Sequence, residues 1–215
     1  MVEIELKYAI PSSAAADDIW RDSELAAIEE PSSREKLEFK AVYFDTACGA
    51  LSANDIAFRI RLEGARVVAS LKWDGKNEGA LHTRQEINVP LSDAASILAP
   101  DPAVFKESPI GRHMQQLVLG KRLESIMDVW FLRRRLRVDT GKSLIEISID
   151  TGDIITAFGS QPICELELEL FSGQQNDLLV LGAQFAGRYS LVPEAKSKYA
   201  RGLLLAGKPP QSDNG

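Results

Sequence analysis

The chain has 215 residues, 45% hydrophobic and 26% charged, with a net charge of −6. This is an ordinary soluble composition with room for a normal core, and its negative balance argues against nucleic acid or an anionic membrane as a partner. Two cysteines and two histidines exclude a disulfide framework, a zinc cluster and a multi-histidine site, so any metal must sit on carboxylates, which favours Mg²⁺ or Mn²⁺.

Residues 2–9 read as a strand in which Glu3, Glu5 and Lys7 share one face and Ile4, Leu6 and Tyr8 the other. Pro11-Ser12-Ser13 then offers a cap for a helix running to about Glu30, with Ile19, Trp20, Leu25 and Ile28 on its apolar side. Lys36–Phe44 is a second strand and Ala57–Leu62 a third. Arg66–Trp73 is its hairpin partner, closed by Asp74-Gly75, and Leu81–Val89 is a fifth strand. Residues 90–120 break the pattern with four prolines and two short helical pieces, and read as a helical insertion. Strands resume at Val129–Val138, Leu144–Asp150 and Ile163–Phe171. Helices follow at Gln174–Tyr189 and Pro193–Leu205, and the tail 207–215 has nothing to bury and is expected to be disordered. No apolar run reaches the ~20 residues of a membrane-spanning helix, and no signal peptide is visible, so a cytoplasmic protein is expected. Residues 1–206 form a single expected domain.

The charged faces of these strands are sorted by sign. Arg59 pairs with Arg61, and Arg133, Arg135 and Arg137 share a parity, as do Glu165, Glu167 and Glu169. Ser70 and Lys72 oppose Leu71 and Trp73; His82, Arg84, Glu86 and Asn88 oppose Ile87 and Val89; Glu146, Ser148 and Asp150 oppose Ile145, Ile147 and Ile149. A half-solvated antiparallel sheet produces simple alternation without any function. It does not sort acids with acids and bases with bases. Clustered carboxylates repel unless cations lie between them, and clustered arginines repel unless an anion does. Together they describe a sheet closed around a charged interior that binds a metal-complexed polyanion, chemistry that suits a triphosphate.

Six segments carry a resemblance in order along residues 2 to about 205. They are Glu3-x-Glu5-x-Lys7, Tyr43-Phe44-Asp45-Thr46, Phe58-Arg59-Ile60-Arg61, Lys72, Glu165-Leu166-Glu167-Leu168-Glu169-Leu170 and Ser197-Lys198-Tyr199-Ala200-Arg201-Gly202. With them the chain resembles the CYTH superfamily, the triphosphate tunnel metalloenzymes, and is most similar to its bacterial inorganic triphosphatase branch. The resemblance implies an α+β fold: a closed eight-stranded antiparallel β-barrel, or tunnel, with helices packed outside. It implies a metal site on Glu3, Glu5, Asp150, Glu165 and Glu167, and a phosphate clamp of Lys7, Arg59, Arg61, Lys72, Arg84 and Lys198 with Arg133 or Arg135. Glu86 would orient a base or a water; Glu5, Glu167, Glu86 and Lys198 would carry the chemistry. Either Lys196 or Lys198 reaches inward. Which arginines of 133–137 do so is not fixed, because a one-residue slip exchanges the faces. Tyr43 and Phe44 read as core, and His82 as a polar strand residue.

The implied activity is metal-dependent hydrolysis of a linear triphosphate, most of all inorganic tripolyphosphate. An adenylyl cyclase, a thiamine triphosphatase and a non-catalytic polyphosphate sensor are the alternatives. The implied partner is a small-molecule triphosphate, and a homodimer is compatible with it.

Overall fold

The computed structural model describes residues 2–208. Eight antiparallel strands close into a barrel: β1 (Val2–Ala9), β2 (Glu35–Thr46), β3 (Ala57–Glu63), β4 (Arg66–Glu78), β5 (Leu81–Leu91), β6 (Leu123–Asp139), β7 (Leu144–Thr156) and β8 (Gly159–Ser172). Their order around the barrel is β5-β4-β3-β2-β6-β7-β8-β1, and β1 closes it by pairing with both β8 and β5. A two-residue strand, β9 (Val192–Pro193), adds to β1 at Tyr8 and Ala9. Closure removes the sheet edges and places alternate residues inside.

The outer faces of the barrel are apolar and are covered on two sides. On one, α1 (Ser13–Trp20), α2 (Ser23–Ile28) and α4 (Gln175–Tyr189) lie over Leu136, Val138, Ile145, Ile147, Leu166 and Leu168. On the other, the 90–120 insertion, with α3 (Pro109–Val118), packs Phe105, Met114 and Val118 on Phe58, Ile60, Ala69 and Leu71. α5 (Lys198–Leu205) covers one end of the barrel interior, where Tyr199 and Leu203 pack among Tyr43, Met127, Val129, Phe131, Ile154 and Ile163. A side chain on Gly202 would put its Cβ 2.2 Å from Met127 Sδ, so glycine lets this helix sit directly on the strands. Among the described residues no helix is long and apolar enough to cross a membrane.

Several strands run longer than the sequence reading, with β6 starting at Leu123, β7 ending at Thr156 and β8 starting at Gly159, and four further boundaries differ. The expected helix from Ser13 to Glu30 is two helices, because the Asp22 carboxylate accepts from Glu24 N–H and Leu25 N–H (2.8 and 3.0 Å) and starts a new one. Arg188 and Tyr189 of α4 also bind Asp22, pinning the break. Asp74-Gly75 is not the hairpin turn: the register shifts there and β4 resumes through Glu78, so the pair forms a bulge and Gly79-Ala80 makes the turn. The expected helix from Pro193 starts only at Lys198, where Ser197 Oγ accepts Ala200 N–H (3.1 Å). Finally, Gly207 and Lys208 of the expected tail cap α5: Lys208 N–H donates to Leu203 O and Gly207 N–H to Leu204 O. Residues 209–215 lie outside the described residues.

Candidate active site

The end of the barrel interior opposite the apolar cluster is a cavity of about 230 Å³. In a chain with an excess of acid, its lining is the reverse: ten lysines and arginines against seven glutamates. The strand order sorts them. β3, β4 and β5 are neighbours and carry Arg59, Arg61, Lys72 and Arg84 with Glu63 and Glu86 among them, while β7, β8 and β1 are neighbours and carry Glu146, Glu167, Glu169, Glu3 and Glu5 with Lys7 among them. A basic arc and an acidic arc therefore share one interior.

The deepest charges neutralise one another. Arg133 forks onto Asp150 (2.7 and 2.7 Å) and reaches Glu167 (2.5 Å). Lys198 Nζ lies 2.8 Å from Asp150, 3.0 Å from Glu165 and 2.8 Å from Glu167. Arg201 also binds Glu165. Lys7 joins Glu5 (3.1 Å) to Glu167 (3.2 Å). Burial works against charge on Glu167, yet Lys198, Lys7 and Arg133 hold its carboxyl well below the usual range. Burial likewise opposes charge on Lys7, and Glu5 and Glu167 raise it.

Nearer the opening the two arcs are not balanced. Lys72 Nζ bridges Glu3 (2.6 Å) and Glu86 (3.5 Å), and Arg59 lies 3.6 Å from Glu86 and donates to Tyr43 Oη (3.2 Å). The buried Arg59 Nε has no hydrogen-bond partner among the described residues. Arg61 pairs with Glu63 at 2.6 Å; burial, and then Arg59 beside it, push it down to about 10. Arg84 lies over Gly75 of the bulge, where a Cβ would come within 2.6 Å of its Nη2. Across the cavity Glu169 sits directly opposite both Glu5 and Glu146 in the ladders. Burial, then Glu3 and Glu5, push its carboxyl up to about 8. Like charges placed opposite one another across strands repel. The site thus has arginines in want of an anion and carboxylates in want of a cation.

The CYTH domain model matches residues 1–203. The chain belongs to the CYTH domain family. It is 29% identical to an inorganic triphosphatase of Haemophilus influenzae over 211 residues, covering 96% of this chain and 55% of that protein. The chain thus spans about half the length of that curated relative. Among solved structures it is similar to a Hippeastrum protein described as a candidate adenylyl cyclase with a dominant triphosphatase activity, at TM-score 0.66 and 19% identity over 96% of each chain. It is also similar to a candidate adenylate cyclase of Bacillus halodurans, at TM-score 0.56 and 18% identity over 91% of this chain and 95% of that one. At these identities the likeness is one of fold.

Within this CYTH barrel, Glu3, Glu5, Lys7, Arg59, Arg61, Lys72, Arg84, Glu86, Arg133, Arg135, Glu167 and Lys198 all line the cavity. The register question is settled by the ladder: Arg133 and Arg135 face inward, while Arg134 points out to Asp17 on α1 (2.6 Å). Three expected residues do not reach the lining. Asp150 and Glu165 are 0% and 1% exposed and lie beneath it, held by Arg133, Lys198 and Arg201. Lys196 is exposed: Ser197 caps α5, so Lys198 is the lysine that enters the helix and turns inward. Glu86 faces Lys72 and Arg59 as their counter-charge. Several residues of the site have no role in the sequence reading. Glu169 and Glu146 share the parity of Glu167 and Asp150, which would have found them. Tyr43, read as core, is both core and cavity wall. Arg201 lies three residues beyond Lys198 on α5, the helical spacing that puts two side chains on one face.

Proposed function

We propose that the chain is a metal-dependent hydrolase of a linear triphosphate, with inorganic tripolyphosphate as its substrate and pyrophosphate and phosphate as products. The observation that carries this reading is the split cavity. Its basic arc leaves buried guanidinium capacity unused, and its acidic arc crowds Glu5, Glu169 and Glu146 together. The inorganic triphosphatase of Haemophilus influenzae supports the choice of substrate.

The donor chemistry fits a hard divalent ion, since every candidate ligand is a carboxylate oxygen. Among the described residues no three carboxylates converge as a ready-made metal cluster; Glu3 and Glu5 hold Lys72 and Lys7 instead. Glu169 faces two further carboxylates, so Glu3, Glu5 and Glu169 are the residues that would hold Mg²⁺ or Mn²⁺. When bound, such an ion neutralises phosphate oxygens and makes a bound water more acidic.

The protein groups do the remainder. Arg59, Arg61 and Arg84 bind the substrate oxygens, Arg59 through a buried Nε that has no hydrogen-bond partner among the described residues. Lys72 spans the two arcs and lies between substrate and carboxylates. Glu86 keeps Lys72 and Arg59 in place. Glu167, ionised and clamped by three cations, is a weak base and acts as the fixed counter-charge of Lys7, Lys198 and Arg133. The apolar end closed by α5 keeps water from entering behind the substrate. Rate enhancement then comes from positioning and electrostatics, as expected of phosphoryl transfer.

The test is turnover of tripolyphosphate, ATP and thiamine triphosphate in turn, with Mg²⁺ and with Mn²⁺, reading phosphate, pyrophosphate and cyclic AMP. Phosphate and pyrophosphate from tripolyphosphate, with little from ATP, is the expected result. Cyclic AMP with pyrophosphate from ATP would move the protein to the cyclases. Tight triphosphate binding with no turnover of any substrate would make it a sensor.

A further inference from the structure

Ten lysines and arginines line the cavity, and nine of them stand on barrel strands, where the ladder fixes them. Lys198 is the exception. It is the first residue of α5, and its place depends on how that helix is led in by the segment 192–197. Two side chains of the β4–β5 hairpin grip that segment. His82 Nε2 lies 2.8 Å from Glu194 O, and Asn77 Nδ2 donates to Ala195 O at 3.0 Å. A carbonyl oxygen only accepts, so Nε2 carries the His82 proton. His82 and Asn77 are directly opposite partners in the ladder, so adjacent donors hold adjacent carbonyls. Asn77 belongs to the stretch of β4 beyond the Asp74-Gly75 bulge. His82 is buried at 7% exposure.

We propose that His82, assisted by Asn77, is a positioning residue that clasps the 192–197 segment and thereby sets Lys198 in the cavity. The inference rests on the proposed triphosphatase reading for its kinetic test only. The clasp needs a side-chain N–H at one place and no proton transfer. His82→Gln keeps such a donor and His82→Leu removes it.

Tripolyphosphate turnover with Mg²⁺ is measured for the wild type, His82→Leu, His82→Gln, Lys198→Ala and the His82→Leu/Lys198→Ala double variant. Loss of one buried neutral hydrogen bond predicts a roughly fivefold fall in kcat/KM for His82→Leu. His82→Gln should recover most of it. On the Lys198→Ala background His82→Leu should cost nothing further, since residues acting through one group are not additive. Full additivity, or a Gln variant as impaired as the Leu variant, overturns the proposal. Backbone hydrogen exchange decides the clasp independently of activity. Residues 192–200 should exchange faster in His82→Leu than in the wild type or His82→Gln, with the barrel strands unchanged. If the wild type hydrolyses no triphosphate, the proposed function fails while this measurement still stands, and unchanged exchange at 192–200 overturns the clasp.

Discussion

The two ends of the barrel interior are built on the same strands with the same parity, and they differ in what the inward residues are. On β6 the inward series runs Met127, Val129 and Phe131, then changes to Arg133 and Arg135. On β8 it changes between Ile163 and Glu165, and on β7 between Asp150 and Ile154, with Gly152 at the boundary. The apolar end is complete in itself: α5 seals it, and its stability comes from burial. The charged end closes only its deepest layer, where Asp150, Glu165 and Glu167 meet Arg133, Lys198, Arg201 and Lys7. Above that layer compensation is partial: Lys72 crosses to Glu3 and Arg135 approaches Glu146 at 3.7 Å, while Glu169 faces Glu5 and Glu146. One half of the interior is organised for folding and the other is left electrostatically open to a ligand.

Substitutions at the two ends should therefore separate stability from activity. Glu5→Gln removes one formal charge from the acidic arc while keeping shape, and should lower triphosphate turnover by about 10²- to 10³-fold, with the melting temperature little changed. Near-wild-type turnover in this variant would remove Glu5 from the site. Ile154→Ala, at the apolar end, should do the opposite. It leaves a cavity under α5 and should cost about 2–5 kcal/mol of unfolding free energy in a urea titration. Its tripolyphosphate affinity at low temperature should stay close to that of the wild type.

Arg59→Ala sharpens the comparison within the charged end. A lost charge-assisted contact is worth roughly 1.5–3 kcal/mol, so calorimetry should find tripolyphosphate bound roughly 10- to 100-fold more weakly. Binding of Mn²⁺ alone should be unaffected, because Arg59 is in the basic arc. Equal losses for both ligands would mean that the arcs do not act separately.

How far this division could be read from the sequence follows from its physics. Strand parity is a strict two-residue period, so Glu3, Glu5 and Lys7, or Arg59 and Arg61, declare their shared face at once. Which of Arg133, Arg134 and Arg135 points inward depends on register, and only the pairing of Arg133 with Asp150 and Arg135 with Ser148 fixes it. Depth along the barrel is also unreadable: Glu165 and Glu169 look equivalent in the sequence, yet one is saturated by Lys198 and Arg201 while the other faces two more carboxylates. The break at Asp22 is a local cap that α4 reinforces, from 166 residues away in the case of Arg188. Asp74-Gly75 has the composition of a tight turn, and only the continued pairing of Lys76 with Thr83 shows it to be a bulge.

The gentlest test of the open acidic arc uses pH. The Glu169 carboxyl is raised from its ordinary value of 4.5 to about 8 by burial first, then by Glu3 and Glu5; Glu146 adds to this and Lys72 opposes it. A carboxyl raised in the folded state binds its proton more tightly there than in the unfolded chain. Its favourable contribution is complete at pH below about 4.5 and is lost as pH rises through about 8. The metal-free protein should therefore lose stability across that window, by about 1 kcal/mol per pH unit where the slope is steepest. Glu169→Gln, which has no proton to lose, should flatten the slope. Added Mg²⁺ or Mn²⁺ should flatten it in the wild type, since a cation among Glu3, Glu5 and Glu169 favours the ionised form, and should have less effect on the slope of the Gln variant. Melting curves from pH 5 to 9, with and without the ion, measure both. An equal slope in the wild type and Glu169→Gln would show that the acidic arc is already compensated, and the contrast between the two ends of the barrel would then rest on shape alone.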